Sequence, residues 1–157
     1  MNCIIENQEL TMTNVLHYQG WVTQHQVNDV FTKAQVLMEK NQANKSGDVV
    51  TATEAVEMRD GEPMTKLNVF IPLDKEIETS DGFDFIKQFR IENALKLRVE
   101  GFFQHKAEEA MKMIEEYMQN NAMKLSTPAF IVTVKAPTTP LEVESMVTDI
   151  YVGIRSN

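Results

Sequence analysis

The sequence predicts an α+β fold built from two βαββ units, related by a pseudo-twofold axis, with antiparallel sheets and a central cleft. Three observations carry this. Several stretches alternate apolar and polar residues with the period of two that marks half-buried strands. Two stretches carry apolar residues at the three-and-four spacing of a helical face. The same order of elements and breaker glycines then recurs about 80 positions later.

The first strand runs from about Leu10 to Tyr18, with weak alternation through Met12, Asn14, Leu16 and Tyr18, and Gly20 is expected to break it. From about Thr23 to Asn41, Val27, Val30, Phe31, Ala34, Leu37 and Met38 form one face of an amphipathic helix, ended by the polar stretch Asn41 to Gly47. Asp48 to Met58 is a Val- and Thr-rich strand. Arg59-Asp60-Gly61 carries a turn signal, and Thr65 to Leu73 is the hairpin partner, with Pro72 near its end. The first repeat thus covers about 10–73, and the acidic stretch Asp74 to Gly82 is the expected linker.

Phe83 to Ile91 shows neither period clearly. Asn93 to Glu100 alternates better, with Leu95, Leu97 and Val99 inward, and Gly101 breaks it. Lys106 to Asn120 gives a second helix through Ala107, Ala110, Met111, Ile114, Tyr117 and Met118, with Asn120-Asn121 at its end. Thr127 to Lys135 is a strand, Pro137 and Pro140 mark a turn, and Met146 to Ile154 closes the second repeat, about 89–154. Asn68 to Leu73 matches Asp149 to Ile154 at an offset of 81, as Gly20-Trp21 matches Gly101-Phe102. The helices align at 80.

Length and composition bound the function. A chain of 157 residues makes about one domain, here 1–157, and 43% hydrophobic with 24% charged residues is the composition of a folded, soluble protein. The single cysteine, Cys3, has no intramolecular partner, which suits a reducing compartment, and no apolar run approaches a membrane span. A cytoplasmic location is expected, without membrane contact. The net charge of −8 argues against direct nucleic-acid binding and fits attraction of cationic ligands, although moderate acidity also keeps a small protein soluble.

The duplicated unit, with its glycine-aromatic steps and the closing strands Asn-Val-Phe-Ile-Pro-Leu and Asp-Ile-Tyr-Val-Gly-Ile, resembles the GyrI-like effector-binding domains. These include the drug-sensing halves of multidrug-responsive activators and stand-alone gyrase-inhibitory proteins. The resemblance covers about Leu10 to Ile154 and, with no DNA-binding segment before Leu10, implies a stand-alone member. It implies an acidic residue one position before the isoleucine of the final strand, facing cationic aromatic ligands. Asp149 holds that position, with the shorter Asp in place of Glu. The family's Gly-Pro-Tyr step lacks its proline in both copies. A second, fainter resemblance rests on Phe89 to Ala94, Val99-Glu100-Gly101 and Thr127 to Phe130. It is to small Gram-positive proteins encoded beside LXG toxins of the type VII secretion system, some regarded as immunity proteins.

The candidate ligand site follows. Asp149 and Tyr151 share a strand face, Asn68 and Phe70 share the matching one with Lys66, and Trp21 and Phe102 would stand at the rim. A carboxylate within aromatic walls holds a flat cation by ion pairing, stacking and cation–π attraction. Each aromatic also fits an ordinary core position, and Asp149 an ordinary hydrogen-bonded strand residue. His17, His25 and His105 are scattered without metal-ligand spacing, no catalytic motif appears, and neither cofactor nor metal is expected. The expectation is a non-enzymatic protein that binds a small apolar or cationic molecule. The alternatives are an immunity or inhibitor protein that binds a toxin, and a hydrolase using Asp149 with Tyr151.

Overall fold

The computed structural model describes residues 4–80, 82–101, 103–135 and 145–156. The expectations for Cys3, Phe102 and the Pro137–Pro140 turn lie outside these residues. Six strands and two helices follow in order: β1 (Ile4–Val22), α1 (Val27–Lys40), β2 (Val50–Arg59), β3 (Glu62–Pro72), β4 (Phe83–Glu100), α2 (Phe103–Asn120), β5 (Met123–Lys135) and β6 (Val147–Ser156). The fold is therefore α+β. No helix among the described residues is long and apolar enough to cross a membrane. The chain forms two compact units, one of Thr11–Arg90 and one of the described residues up to Leu10 and from Ile91 on.

In the unit of Thr11–Arg90, β3 lies between β1 and β2, antiparallel to both. A capping box starts the helical stretch: the Gln26 backbone N–H donates to Thr23 Oγ1 at 3.3 Å, and the Thr23 N–H to Gln26 Oε1 at 2.9 Å. A 3₁₀ turn at Gln24–Gln26 leads into α1. Val30, Ala34, Leu37 and Met38 of α1 then pack with Leu16, Leu67, Val69, Ile71 and Leu73 of the sheet, as helical and strand periodicity require. Asp60 (φ 51°) and Gly61 (φ 76°) both take left-handed backbone, the signature of a two-residue hairpin turn, and set the pairing of Arg59 with Glu62.

Gly20 does not break β1. It pairs with Leu67, and a Cβ there would lie 2.6 Å from the Tyr18 hydroxyl, so glycine serves a close side-chain approach and the strand runs on to Val22. The described residues from Asp74 to Gly82 form no strand or helix, yet they are tied down. Asp74 Oδ1 accepts the Asn44 N–H at 3.0 Å, and Ile77 is buried in the first core.

In the other unit, β6 lies between β4 and β5, again antiparallel to both. Leu95, Leu97 and Val99 of β4, Ala110, Ile114 and Met118 of α2, and Ile150, Val152 and Ile154 of β6 make its core. The boundary between the units falls inside β4, between Arg90 and Ile91, beyond the expected linker. Phe83 and Phe85 of that strand pack on the first core, whereas Leu95, Leu97 and Val99 build the second. That division explains why no single period rules Phe83 to Ile91. Gly101 (φ 99°) ends β4 as expected, its N–H donating to Met146 O at 2.9 Å.

Candidate functional site

Each sheet turns one face to its helix and the other away. On β6 the face turned away carries Asp149 and Tyr151, because Ile150 and Val152 belong to the helix-side core. The register sets Arg98 opposite Asp149 and Lys96 opposite Tyr151. The consequence is a closed ion pair. Arg98 Nε donates to Asp149 Oδ1 at 2.8 Å and Arg98 Nη2 to Oδ2 at 3.0 Å, the bidentate fork that matches a carboxylate. Lys96 Nζ stands 3.6 Å from Oδ2, and lies 5.7 Å from the Tyr151 ring centroid. Asp149 is 3% exposed. Its bonds to Arg98, and then its charge, raise that guanidinium above its ordinary value. Asp149 is thus ion-paired to Arg98, each of its oxygens accepting one guanidinium N–H. Sequence reading placed the acid correctly on the face with Tyr151 but could not see which residue of β4 would stand opposite it.

The face of β1, β2 and β3 turned away from α1 carries the opposite arrangement. Asn68 and Phe70 are there, both buried, as expected from their spacing on β3. They gather residues that the sequence did not single out for ligand binding. His17 Nε2 lies 2.8 Å from Asn68 Oδ1, His17 Nδ1 lies 2.7 Å from Asp84 Oδ1, and the imidazole stacks on Phe70 with centroids 4.7 Å apart. Phe89 packs tilted on Phe70 at 4.8 Å. On the other side, Asn68 Nδ2 donates to Glu54 Oε1 at 2.9 Å, and Gln19 Nε2 donates to the same oxygen at 2.8 Å. Lys66 Nζ is 3.3 Å from Glu54 Oε2.

Glu54 reaches this cluster through a backbone irregularity. Thr53 pairs with Leu67 and Ala55 with Lys66, so Glu54 is the extra residue of a β-bulge, a device that re-aims a side chain. The Asn68 amide first, then Lys66 and Gln19, hold the Glu54 carboxyl below its ordinary value, against the upward push of desolvation. Its side chain remains 35% exposed. The result is an ionised carboxylate, partly open to solvent, bonded to Asn68, two positions along β3 from the buried Phe70. The bulge is the reason sequence reading missed it: straight alternation gives no ground for preferring position 54 over its neighbours. His17 gave a readable signal, since it alternates with Val15 and Gln19 on one face, but only a structure shows Asp84 and Asn68 at its two nitrogens.

Trp21 belongs to neither group. The Arg59 guanidinium sits 4.7 Å from its ring centroid, and Trp21 lines a hollow with Tyr18, Gln26, Asp29 and Lys33. Among the described residues, no buried side-chain nitrogen or oxygen lacks a hydrogen-bond partner.

Solved structures show what the fold is similar to. The C-terminal domain of EcmrR is similar over 100% of this chain and 98% of its own, with a TM-score of 0.77 at 12% identity. EcmrR in complex with DNA gives the same TM-score of 0.77 at 11% identity, and this chain spans only 58% of that longer protein. A conserved protein from Listeria innocua matches 98% of this chain and 92% of its own, with a TM-score of 0.65 at 11% identity. SAV2435, solved bound to tetraphenylphosphonium, matches 99% of this chain and 94% of its own, with a TM-score of 0.50 at 12% identity. The EcmrR domain and SAV2435 have GyrI-like effector-binding folds, so the likeness extends the resemblance read from the sequence to the level of fold. No curated protein matches the chain. Residues 11–150 match the family model DUF5085, a domain of unknown function, and the chain belongs to that family.

Proposed function

We propose that the chain is a non-enzymatic binding protein of GyrI-like type for a small, apolar, aromatic cation. In this reading the ligand lies against the face of β1, β2 and β3 turned away from α1, with Glu54 as its counter-charge. The observation that carries it is the contrast between two acids. Glu54 is ionised and partly exposed, with two neutral amides on Oε1 and a partly exposed Lys66 3.3 Å from Oε2, and it bonds Asn68, two positions along β3 from Phe70, whereas Asp149 is 3% exposed and held in a bidentate fork by Arg98. An ion pair this exposed to solvent is weak enough for a ligand cation to compete with Lys66, and aromatic faces supply stacking and cation–π attraction. SAV2435, which shares the fold, was solved with a bulky aromatic cation, and that supports the ligand class.

The test is a pair of isosteric substitutions measured with ethidium, a flat aromatic cation with N–H donors. Glu54→Gln is expected to weaken binding by about 1–3 kcal/mol, the cost of losing a charged partner. Asp149→Asn is expected to leave affinity within a factor of about two, because that buried carboxylate is already ion-paired to Arg98. The reverse pattern would return the counter-charge to Asp149.

A further inference from the structure

The Glu54 cluster contains a chain of four residues whose hydrogen-bonding roles fix one another. Asp84 and Glu54 are at its ends, and an ionised carboxylate only accepts. Asp84 Oδ1 is 2.7 Å from His17 Nδ1, so that nitrogen carries a proton. Glu54 Oε1 takes the N–H of Asn68 Nδ2 at 2.9 Å, so the amide oxygen must point the other way, to His17 Nε2 at 2.8 Å. Each ring nitrogen of His17 therefore faces an acceptor. Only an imidazolium, with a proton on both, satisfies that arrangement; a neutral ring would set its lone pair against an oxygen. Stacking on Phe70 fixes the ring plane, and the His17 side chain is 14% exposed, so rotation offers no escape. The charged groups facing the chain are Asp84 from β4, Glu54 from β2 and Lys66 from β3, with neutral Gln19 from β1 on Glu54.

Resting on the Glu54 reading above, we propose that this chain exchanges a proton for a cation, so that ligand binding releases one proton from His17. A cation carrying N–H groups that settles on Glu54 competes with Asn68 Nδ2 for Oε1. The freed amide turns over and presents Nδ2–H to His17. The Nε2–H bond breaks, its proton leaves to solvent, and its electron pair stays on Nε2 to accept from Asn68. The amide oxygen then faces the ligand beside Glu54 and accepts a second N–H from it. One positive charge enters as one leaves. Asn68, which touches both ends, is the two-state element on which the coupling depends, and the coupling is reciprocal.

Two measurements test this. In the ligand-free protein at pH 7, nitrogen-15 spectra should show both ring nitrogens of His17 protonated; a neutral tautomer overturns the proposal without any ligand. Ethidium affinity should rise with pH, by up to tenfold per unit, since one proton leaves per ligand bound. In His17→Gln it should be flat within twofold. Asp84→Asn, at an exposed position that tolerates the change, should move the rise to lower pH because Nδ1 loses its anionic partner. A flat profile in the unsubstituted protein overturns the exchange and leaves Glu54 as the counter-charge. Ethidium that binds at no pH overturns both.

Discussion

Asp149 and Glu54 carry the same charge on sheet faces turned away from a helix, yet their neighbours give them different work. Asp149 faces two cations across one strand pair, and its burial at 3% exposure makes those contacts obligatory. Arg98 is half-exposed. The pair should therefore respond unequally to losing either member. Arg98→Met leaves a buried carboxylate with only Lys96 at 3.6 Å, an arrangement that costs about 3–5 kcal/mol when a buried charge is stranded. Asp149→Asn leaves a guanidinium that can turn into water, and the expected loss is about 1–2 kcal/mol, nearer that of ordinary hydrogen bonds. Urea unfolding of the two variants measures the order; equal losses, or a larger loss for Asp149→Asn, would mean that the ion pair does not shield the acid as the geometry implies.

At the scale of elements, the two helices and the hairpin were legible because their signals are local. The Val27, Val30, Ala34, Leu37 face appears in the core, and the Asp60-Gly61 turn stands where its residues place it. Strand lengths were not legible, and the reason is also physical. β1 extends well before Leu10 and past Gly20, and β4 runs without a break from Phe83 to Glu100, because ladder pairing and two different cores support stretches whose own alternation is poor. Bulges were missed too, among them one that re-aims Glu54 and one that bears on packing. The register of β5 and β6 shifts between Leu125 and Ala129, and Thr127 Oγ1 there accepts the Gly153 N–H at 2.8 Å. A Cβ on Gly153 would lie 2.7 Å from Thr127 Cγ2 and 2.9 Å from Ser126 Oγ. These are short side chains fixed on a neighbouring strand, with little freedom to retreat. Gly153→Ala should destabilise the protein by about 1–3 kcal/mol, the range for overpacking, and paired with Thr127→Ser, which removes the clashing methyl, much of the loss should return. Thermal melts of the single and double variants decide it, since purely additive losses would place the cause elsewhere.

At the scale of the whole molecule, the elements follow in the order β1, α1, β2, β3, β4, α2, β5, β6, with β3 between β1 and β2 and β6 between β4 and β5. The element order was readable from the sequence; the distribution of charge within it was not, because net charge says nothing about which acids are already paired. The molecule carries −8 overall, and this diffuse field attracts any cation, whether or not a specific site exists. Salt separates the two contributions. The Debye length falls from about 30 Å at 0.01 M to about 3 Å at 1 M, so attraction from distant surface acids fades while a contact at hydrogen-bond distance is screened far less. Ethidium affinity should therefore fall severalfold between 0.01 and 0.5 M salt in both the unsubstituted protein and Glu54→Gln. Their ratio should hold within a factor of about three, because it reports the local carboxylate rather than the field. Titrations across that range test the assignment directly. A ratio that collapses toward one at high salt would show that Glu54 acts only as one more member of the acidic surface, whereas a constant ratio locates the recognition of charge at the bulge of β2.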